Sequence, residues 1–534
     1  MNMSVQGKQI INGTEYVYEY VSIWNAAKKR SEQKRNYIGK NIDGVFVPNK
    51  KYKLQQQIRM TKTKVKPGPV TVTDCKRLFY GSTYLLDAIG KKIGITEDLK
   101  KCFPETYQEI LSLVYFLVLE EHKPIYRFHK WALTHAHPFH FDIPSQRSSE
   151  LFGRLTEEQK MKFFALQSKR RSEREYLAYD TTSISSYSQN LKQAQYGKNK
   201  EHDCLPQINL ALLYGESSKL PVYYRKLAGN ITDVKTIENL IKDVDFLNMG
   251  KLNLVMDRGF YSESNINELF RKHHKFLIGT RTSLKLVRQK LDEVRDSFVS
   301  RPNYNSETQL YIKSFTMEWN YMEKQPRTGT VITDKRRIYI HYYYNDQHAT
   351  DDKKRFNHLL DTLEAELLSG KRNPEHEKLY RKYYDIKATP IRGVKLVPKQ
   401  DAIDATEKDY GYFALMSNGI KAPVEALKIY RTKDLIEKAF GNLKERLNMR
   451  RMSVASEENL EGKLFVQFVA LIYLSYIKKA MDDNKLFKTY TMQELLDELD
   501  IIEFYQQPGR QHHLGEITNK QKKLYQYMGV EEPS

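Results

Sequence analysis

Hydrophobic and polar positions change rhythm three times along this chain. Up to residue 75, aromatic and β-branched residues alternate with polar ones, in "YVYEYVSIWN" and then "KRNYIGKNIDGVFVPNKKYK", until the Pro/Gly-rich "KVKPGPV". Period-two patterning closed by such punctuation predicts a small β-rich module. Between 80 and 170 the spacing turns helical, as in "STYLLDAIGKKIGI" and "YQEILSLVYFLVLEEHKPIYRFHKWAL". From 174 strands return. "REYLAYDTTSISSYS", "QINLALLYGE" and "KLPVYYRKLAG" read as three strands, the last two joined by a turn around Gly215–Ser218. A helix ("ITDVKTIENLIKDVDFL", Thr232 as its N-cap) follows, then the short apolar strand "KLNLVMDRGFYS" terminating at Asp257. The helix "ESNINELFRKHH" and the strand "KFLIGT" complete an α/β order of three strands, helix, strand, helix, strand. Asp180 lies within the first strand and Asp257 at the carboxyl end of the fourth, where open α/β sheets bind ligands.

Residues 284–405 interrupt the pattern with a helix ("SLKLVRQKLDEVRD"), strand-like runs ("TQLYIKSFTMEW", "GTVIT", "RRIYIHYYYN") and a charged helix ("DDKKRFNHLLDTLEAELLSG"). So long a segment with strands of its own predicts an inserted β-rich subdomain. "GYFALMSN" at 411–418 resumes the sheet. The expected divisions are therefore a basic module at 1–75, a helical DNA-binding or linker region at 76–170, and a first core part at 171–283. The insertion at 284–405, a second core part at 406–484 and a helical C-terminal segment at 485–534 complete them.

The stretch "IYRTKDLIEKAFGNLK" (429–444) reads as one amphipathic helix. At about 100° per residue, Lys433, Lys444 and Tyr430 fall within about 40° of Glu437, beside an apolar stripe of Ile436, Phe440, Leu443 and Leu447. Gly441 falls on the polar side, where a missing Cβ leaves room for another backbone. Taken alone, the stripe reads more readily as ion pairing on a solvated face.

Charge changes the picture. The 534 residues carry a net +21, with a pI near 9.4. Residues 1–75 alone hold 14 Lys/Arg against 5 Asp/Glu. Such excess favours a polyanionic partner, because each neutralised phosphate releases counterions. Three scattered cysteines, Cys75, Cys102 and Cys204, exclude a disulfide framework and suit a reducing compartment. With no apolar signal region at the N-terminus, a cytoplasmic protein is expected. The run "LFVQFVALIYLSYI" (464–477) is short, includes Gln467, and predicts a buried core helix, with no membrane partner. His135, His137, His140 and Asp142 in "HAHPFHFD" lack the spacing of a zinc site and read as a Pro-containing loop.

Three segments together carry a resemblance. "YDTTS" around Asp180, "MDRGFYS" around Asp257 and "YRTKDLIEKAFGNLK" around Glu437 resemble the catalytic segments of bacterial insertion-sequence transposases. Those enzymes hold an Asp-Asp-Glu triad on a ribonuclease-H-like fold. The subgroup approached most nearly has a Tyr-x2-Arg-x3-Glu-x6-Lys signature and a β-rich insertion before the Glu. Here the signature maps onto Tyr430, Lys433, Glu437 and Lys444, with Lys433 where the family usually has Arg. That exchange keeps the charge and loses the bidentate fork.

The resemblance spans about residues 174–480. It implies Asp180, Asp257 and Glu437 as metal ligands for two Mg²⁺ or Mn²⁺ ions, with Tyr430, Lys433 and Lys444 on DNA phosphates. Arg258 reads equally as a phosphate contact or an ion pair. Trp319 is a candidate platform for a flipped base, although a core role suits it better. The implied activity is cut-and-paste transposition on double-stranded DNA, with a homodimer holding the two ends. A non-catalytic DNA-binding regulator and a nuclease without joining activity remain open beside it.

Overall fold

The computed structural model describes residues 5–11, 14–25, 30–42, 45–52, 76–170, 175–188, 190–197, 203–247, 249–324, 329–389, 393–454, 456–506 and 513–534. Cys75 and the "KVKPGPV" boundary lie outside them. At the N-terminus, β1 (Val5–Ile11), β2 (Thr14–Asn25), β3 (Arg30–Ile42) and β4 (Val45–Pro48) form an antiparallel meander. Val17, Tyr18 and Ile38 are buried in it, and Arg35 lies over the Tyr18 ring.

Helices of the 81–169 region pack around the long helix Glu457–Asp483. Among the described residues this is the helix long and apolar enough to cross a bilayer, and 89% of its most apolar window is buried inside the protein. Its acid Glu461 holds the buried ammonium groups of Lys160 and Lys226, each 2.9 Å away, tying the helical region to the sheet. The C-terminal segment returns to the same region. There β5 (Lys76–Phe79) pairs with a late strand at Glu503–Gln506, and Tyr525 donates a hydrogen bond to the Gly81 carbonyl.

A nine-stranded mixed sheet forms the centre. β6 (Tyr176–Ser185), β7 (Gln207–Gly215) and β8 (Pro221–Ala228) are antiparallel. The helix Asp233–Phe246 leads to β9 (Asn253–Met256), and the helix Glu263–Arg271 leads to β10 (Lys275–Thr280). β6, β9 and β10 run parallel, because each helix returns the chain to the same end of the sheet. Thr232 occupies the N-cap position but its side chain makes no capping bond.

The strands expected in a separate insertion behave differently. β11 (Tyr304–Asn305), β12 (Leu310–Lys324) and β13 (Val331–Tyr344) continue the central sheet. β13 pairs with the strand at Tyr412–Ser417, which pairs in turn with β10. An open edge on that strand would leave backbone groups unpaired, and the long hairpin satisfies them. The part from Asp346 onward has its own small core, built on Phe356, Leu363, Tyr380 and Tyr383. It carries the separate ribbon of β14 (Tyr384–Thr389) and β15 (Gly393–Pro398). The strand at Tyr412–Ser417 is β16.

Candidate active site

Parallel pairing of β6 with β9 sets Tyr179 beside Met256, so the following residues, Asp180 and Asp257, leave the two strands at the same level. β6 continues past this point because β7 pairs along its whole length, with Asp180 across from Leu212. β9 stops there. Each acid accepts the N–H of its successor: Asp180 from Thr181 at 2.8 Å and Asp257 from Arg258 at 2.7 Å. Alternation sends Tyr179 to the face of the helix Asp233–Phe246, where its hydroxyl meets the Thr236 carbonyl, and Asp180 to the opposite face.

That opposite face receives Glu437. The single helix expected over 429–444 is in fact two, Pro423–Arg431 and Asp434–Lys444. Between them the hydrogen bonds tighten to i→i+3, from Thr432 N–H to Ile429, Lys433 to Tyr430, Leu435 to Thr432 and Ile436 to Lys433. The Thr432 hydroxyl bonds back to the Ile429 carbonyl, a local competitor of helical pairing. Tyr430 therefore belongs to the preceding helix and not to the stripe of Glu437. The apolar stripe does form, with Ile436, Ala439, Phe440 and Leu443 buried and Glu437 exposed. Among the described residues nothing comes within 4 Å of where a Cβ at Gly441 would stand, so none of their backbones approaches it.

Despite the break, the groups converge. The Tyr430 hydroxyl donates to Asp257 Oδ1 at 3.2 Å. The Lys433 ammonium lies 3.0 Å from Glu437 Oε1 and 3.7 Å from Asp257 Oδ2. Burial works against the charged Lys433, but Asp257, Glu437 and then Asp180 outweigh it and hold its pKa above the ordinary lysine value. Burial, followed by the neighbouring Asp257 charge, pushes the Tyr430 phenol well up, so it stays a donor. Lys444 closes the helix two turns beyond Glu437.

Arg258 is exposed and lines a groove of about 700 Å³ that opens at Asp257 and Tyr430. Arg281 and Arg431 line it too. Neither stands out in the sequence; the available signal is a cation just after a strand end for Arg281 and at a helix end for Arg431. Trp319 is not brought to the site. It sits within β12, 7% exposed, with its indole N–H donating to Asn267 Oδ1 at 2.8 Å. The histidine loop is likewise engaged elsewhere: His135 pairs with Asp500, His137 with the Ser112 hydroxyl, and Asp142 with His129.

Three carboxylates on neighbouring backbone elements are the hard oxygen donors that Mg²⁺ or Mn²⁺ prefers. Glu437 and Asp257 are accessible, at 56% and 43% exposure, and both already face a cation, Lys433. The donor chemistry fits a divalent ion. Among the described residues, however, no three His, Cys, Asp or Glu groups stand close enough to close around one as they are placed, so Lys433 would have to yield.

No curated protein matches the sequence. A solved piggyBac transposase synaptic complex with hairpin DNA is similar at a TM-score of 0.34 and 11% identity, covering 79% of this chain and 77% of that one. A family model described as "Transposase DDE domain" matches residues 171–473, from just before β6 into the long buried helix and including all three acids. The chain belongs to the transposase DDE domain family.

Proposed function

We propose that this transposase binds the terminal inverted repeats of its own element and catalyses metal-dependent cleavage and transfer of DNA strands. Asp180, Asp257 and Glu437 would hold two Mg²⁺ or Mn²⁺ ions. When bound, such ions stabilise charge on the attacking and departing oxygens of a phosphodiester. The observation that carries the reading is the Lys433 ammonium set between Asp257 and Glu437, with Asp180 also acting on it.

The chain's own groups do the positioning. Lys433, moving off the carboxylates, meets a phosphate, and Lys444 meets another farther along the same helix. Tyr430 orients Asp257 through its hydroxyl. Arg258 takes a phosphate on the groove side. Holding the reacting oxygens in line in this way supplies much of the acceleration in phosphoryl transfer. The strand order from β6 to β10 supports a ribonuclease-H-like core, and the signature residues support the bacterial insertion-sequence subgroup. Because two transposon ends must be joined, the working form is a homodimer, acting in the cytoplasm.

The test mixes purified protein, Mg²⁺ or Mn²⁺ and DNA bearing the element's ends, then offers pre-cleaved ends to a target duplex. Metal-dependent cleavage and joining that vanish in Asp180→Ala and Glu437→Ala are expected. Cleavage by those variants at the parent rate would refute the assignment.

A further inference from the structure

We infer that the ribbon β14–β15 is a second DNA-docking element, one that enters a groove of double-stranded DNA away from the acids. The inference rests on the transposase reading only in taking DNA as the polyanion. Among the described residues the ribbon pairs with no other strand, and an isolated two-stranded hairpin is marginal in water. Here one face is held by the small core: Tyr384, Ile386 and Leu396 pack onto it, and the Tyr384 hydroxyl donates to the Leu360 carbonyl at 3.0 Å. Alternation turns Asp385, Lys387, Lys395 and Val397 outward, and all four are exposed.

The register on that outward face is unusual. Lys387 stands directly across from Lys395. Like charges so placed destabilise a sheet, and Asp385, the only acid on either strand, is engaged by Lys399 at 3.1 Å. Among the described residues no carboxylate pairs with either lysine. Charge is also segregated around the ribbon. Residues 371–399 hold nine Lys/Arg against three Asp/Glu, whereas the rest of 346–410 holds four against ten. A ribbon that lies in the cation-rich part of its subdomain, and opposes two lysines on its exposed face, is built for an external anion.

Duplex DNA fits the shape as well as the charge. Six-residue strands span about 20 Å, and a two-stranded ribbon is admitted by a major groove about 12 Å wide. Lys387 and Lys395 would then reach phosphates, with the Asp385–Val397 pair two residues along the same face.

The experiment is anisotropy of a labelled random-sequence duplex on the full-length protein, without divalent metal, over a salt series. Lys387→Gln/Lys395→Gln is expected to weaken binding and reduce the salt slope by about 1.8, the value for two phosphate contacts. Its melting temperature should hold or rise, because a like-charge pair is removed. Lys387→Glu, which gains an ion pair with Lys395, should bind more weakly still at undiminished thermal stability. An unchanged slope would overturn the inference, as would equal weakening toward a single-stranded oligonucleotide, or a binding loss that tracks a fall in melting temperature. Cleavage plays no part in this assay, so failure of the transposase reading would show separately.

Discussion

The ammonium of Lys433 stands 3.0 Å from Glu437 Oε1 and reaches Asp257 at 3.7 Å, across 176 residues of chain. The lysine thus supplies the positive charge that these acids require. Two unit charges about 4 Å apart interact by about 4 kcal/mol at an effective dielectric of 20, and the exposure of both acids reduces this. Lys433→Met should therefore raise the affinity of the DNA-free protein for Mn²⁺ by about tenfold, the equivalent of 1.4 kcal/mol, while DNA cleavage falls. Paramagnetic titration of Mn²⁺ reads the first effect; an unaltered affinity would show that the ammonium does not occupy the metal's place.

Gly279 and Tyr430 form a second coupled pair. A Cβ at Gly279 would stand 2.7 Å from the Tyr430 hydroxyl and 3.2 Å from the Arg258 nitrogen. Gly279→Ala should cost about 1–3 kcal/mol through overpacking and slow cleavage by displacing Tyr430 from Asp257. Adding Tyr430→Phe removes the clashing oxygen, so the double variant should be more stable than the sum of the single ones predicts. Chemical denaturation of all four proteins checks this, with strict additivity as the contrary result.

Trp319 is a core residue here, and its substitution should reveal that. Trp319→Phe loses the bond to Asn267 and about 1 kcal/mol of stability, with cleavage and joining at the parent level. A selective loss of joining or hairpin products would instead assign the indole to DNA.

Acid should weaken the fold in a defined window. His341 is fully buried, its Nε2–H donating to the Ile420 carbonyl at 3.1 Å and its Nδ1 accepting from the Ser314 hydroxyl at 2.8 Å. Burial lowers its pKa from 6.5 to about 4, and burial followed by the His140 charge does the same to His137. Below pH 6.5 the unfolded chain takes up protons that the folded protein refuses. Stability is therefore complete above pH 6.5 and is lost progressively as pH falls to 4, by about 3 kcal/mol for each imidazole. His341→Gln should flatten part of that decline in urea titrations across the window, the rest belonging to His137, His140 and His274, which burial also lowers; an unchanged slope would contradict it.

Much of the fold could be read along the chain. The strand and helix order from β6 to β10, the β-rich character of the N-terminal module and the buried helix at 464–477 follow from period-two and period-3.6 patterning, which neighbours in sequence determine. What the pattern did not reveal was membership. Whether "TQLYIKSFTMEW" pairs within an insertion or extends the central sheet depends on which edge is free, and that edge is contributed by residues about 100 positions away. The break at Thr432 was hidden for a different reason: both halves are good amphipathic helix, and the local loss is a side-chain bond to one carbonyl.

The sequence by itself determined where the three candidate acids stand along the chain, the strands or helices that bear them, and an overall charge suited to a polyanion. Each of these depends on residue type and short-range spacing. Only the tertiary structure decided that Lys433 sits among the acids, that Tyr430 reaches Asp257 from a separate helix, that Trp319 is internal, and that Lys387 opposes Lys395. Those are relations through space, set by which elements pack together. Parallel pairing of two strands and the docking of one helix establish them, and neither leaves a mark within any single segment.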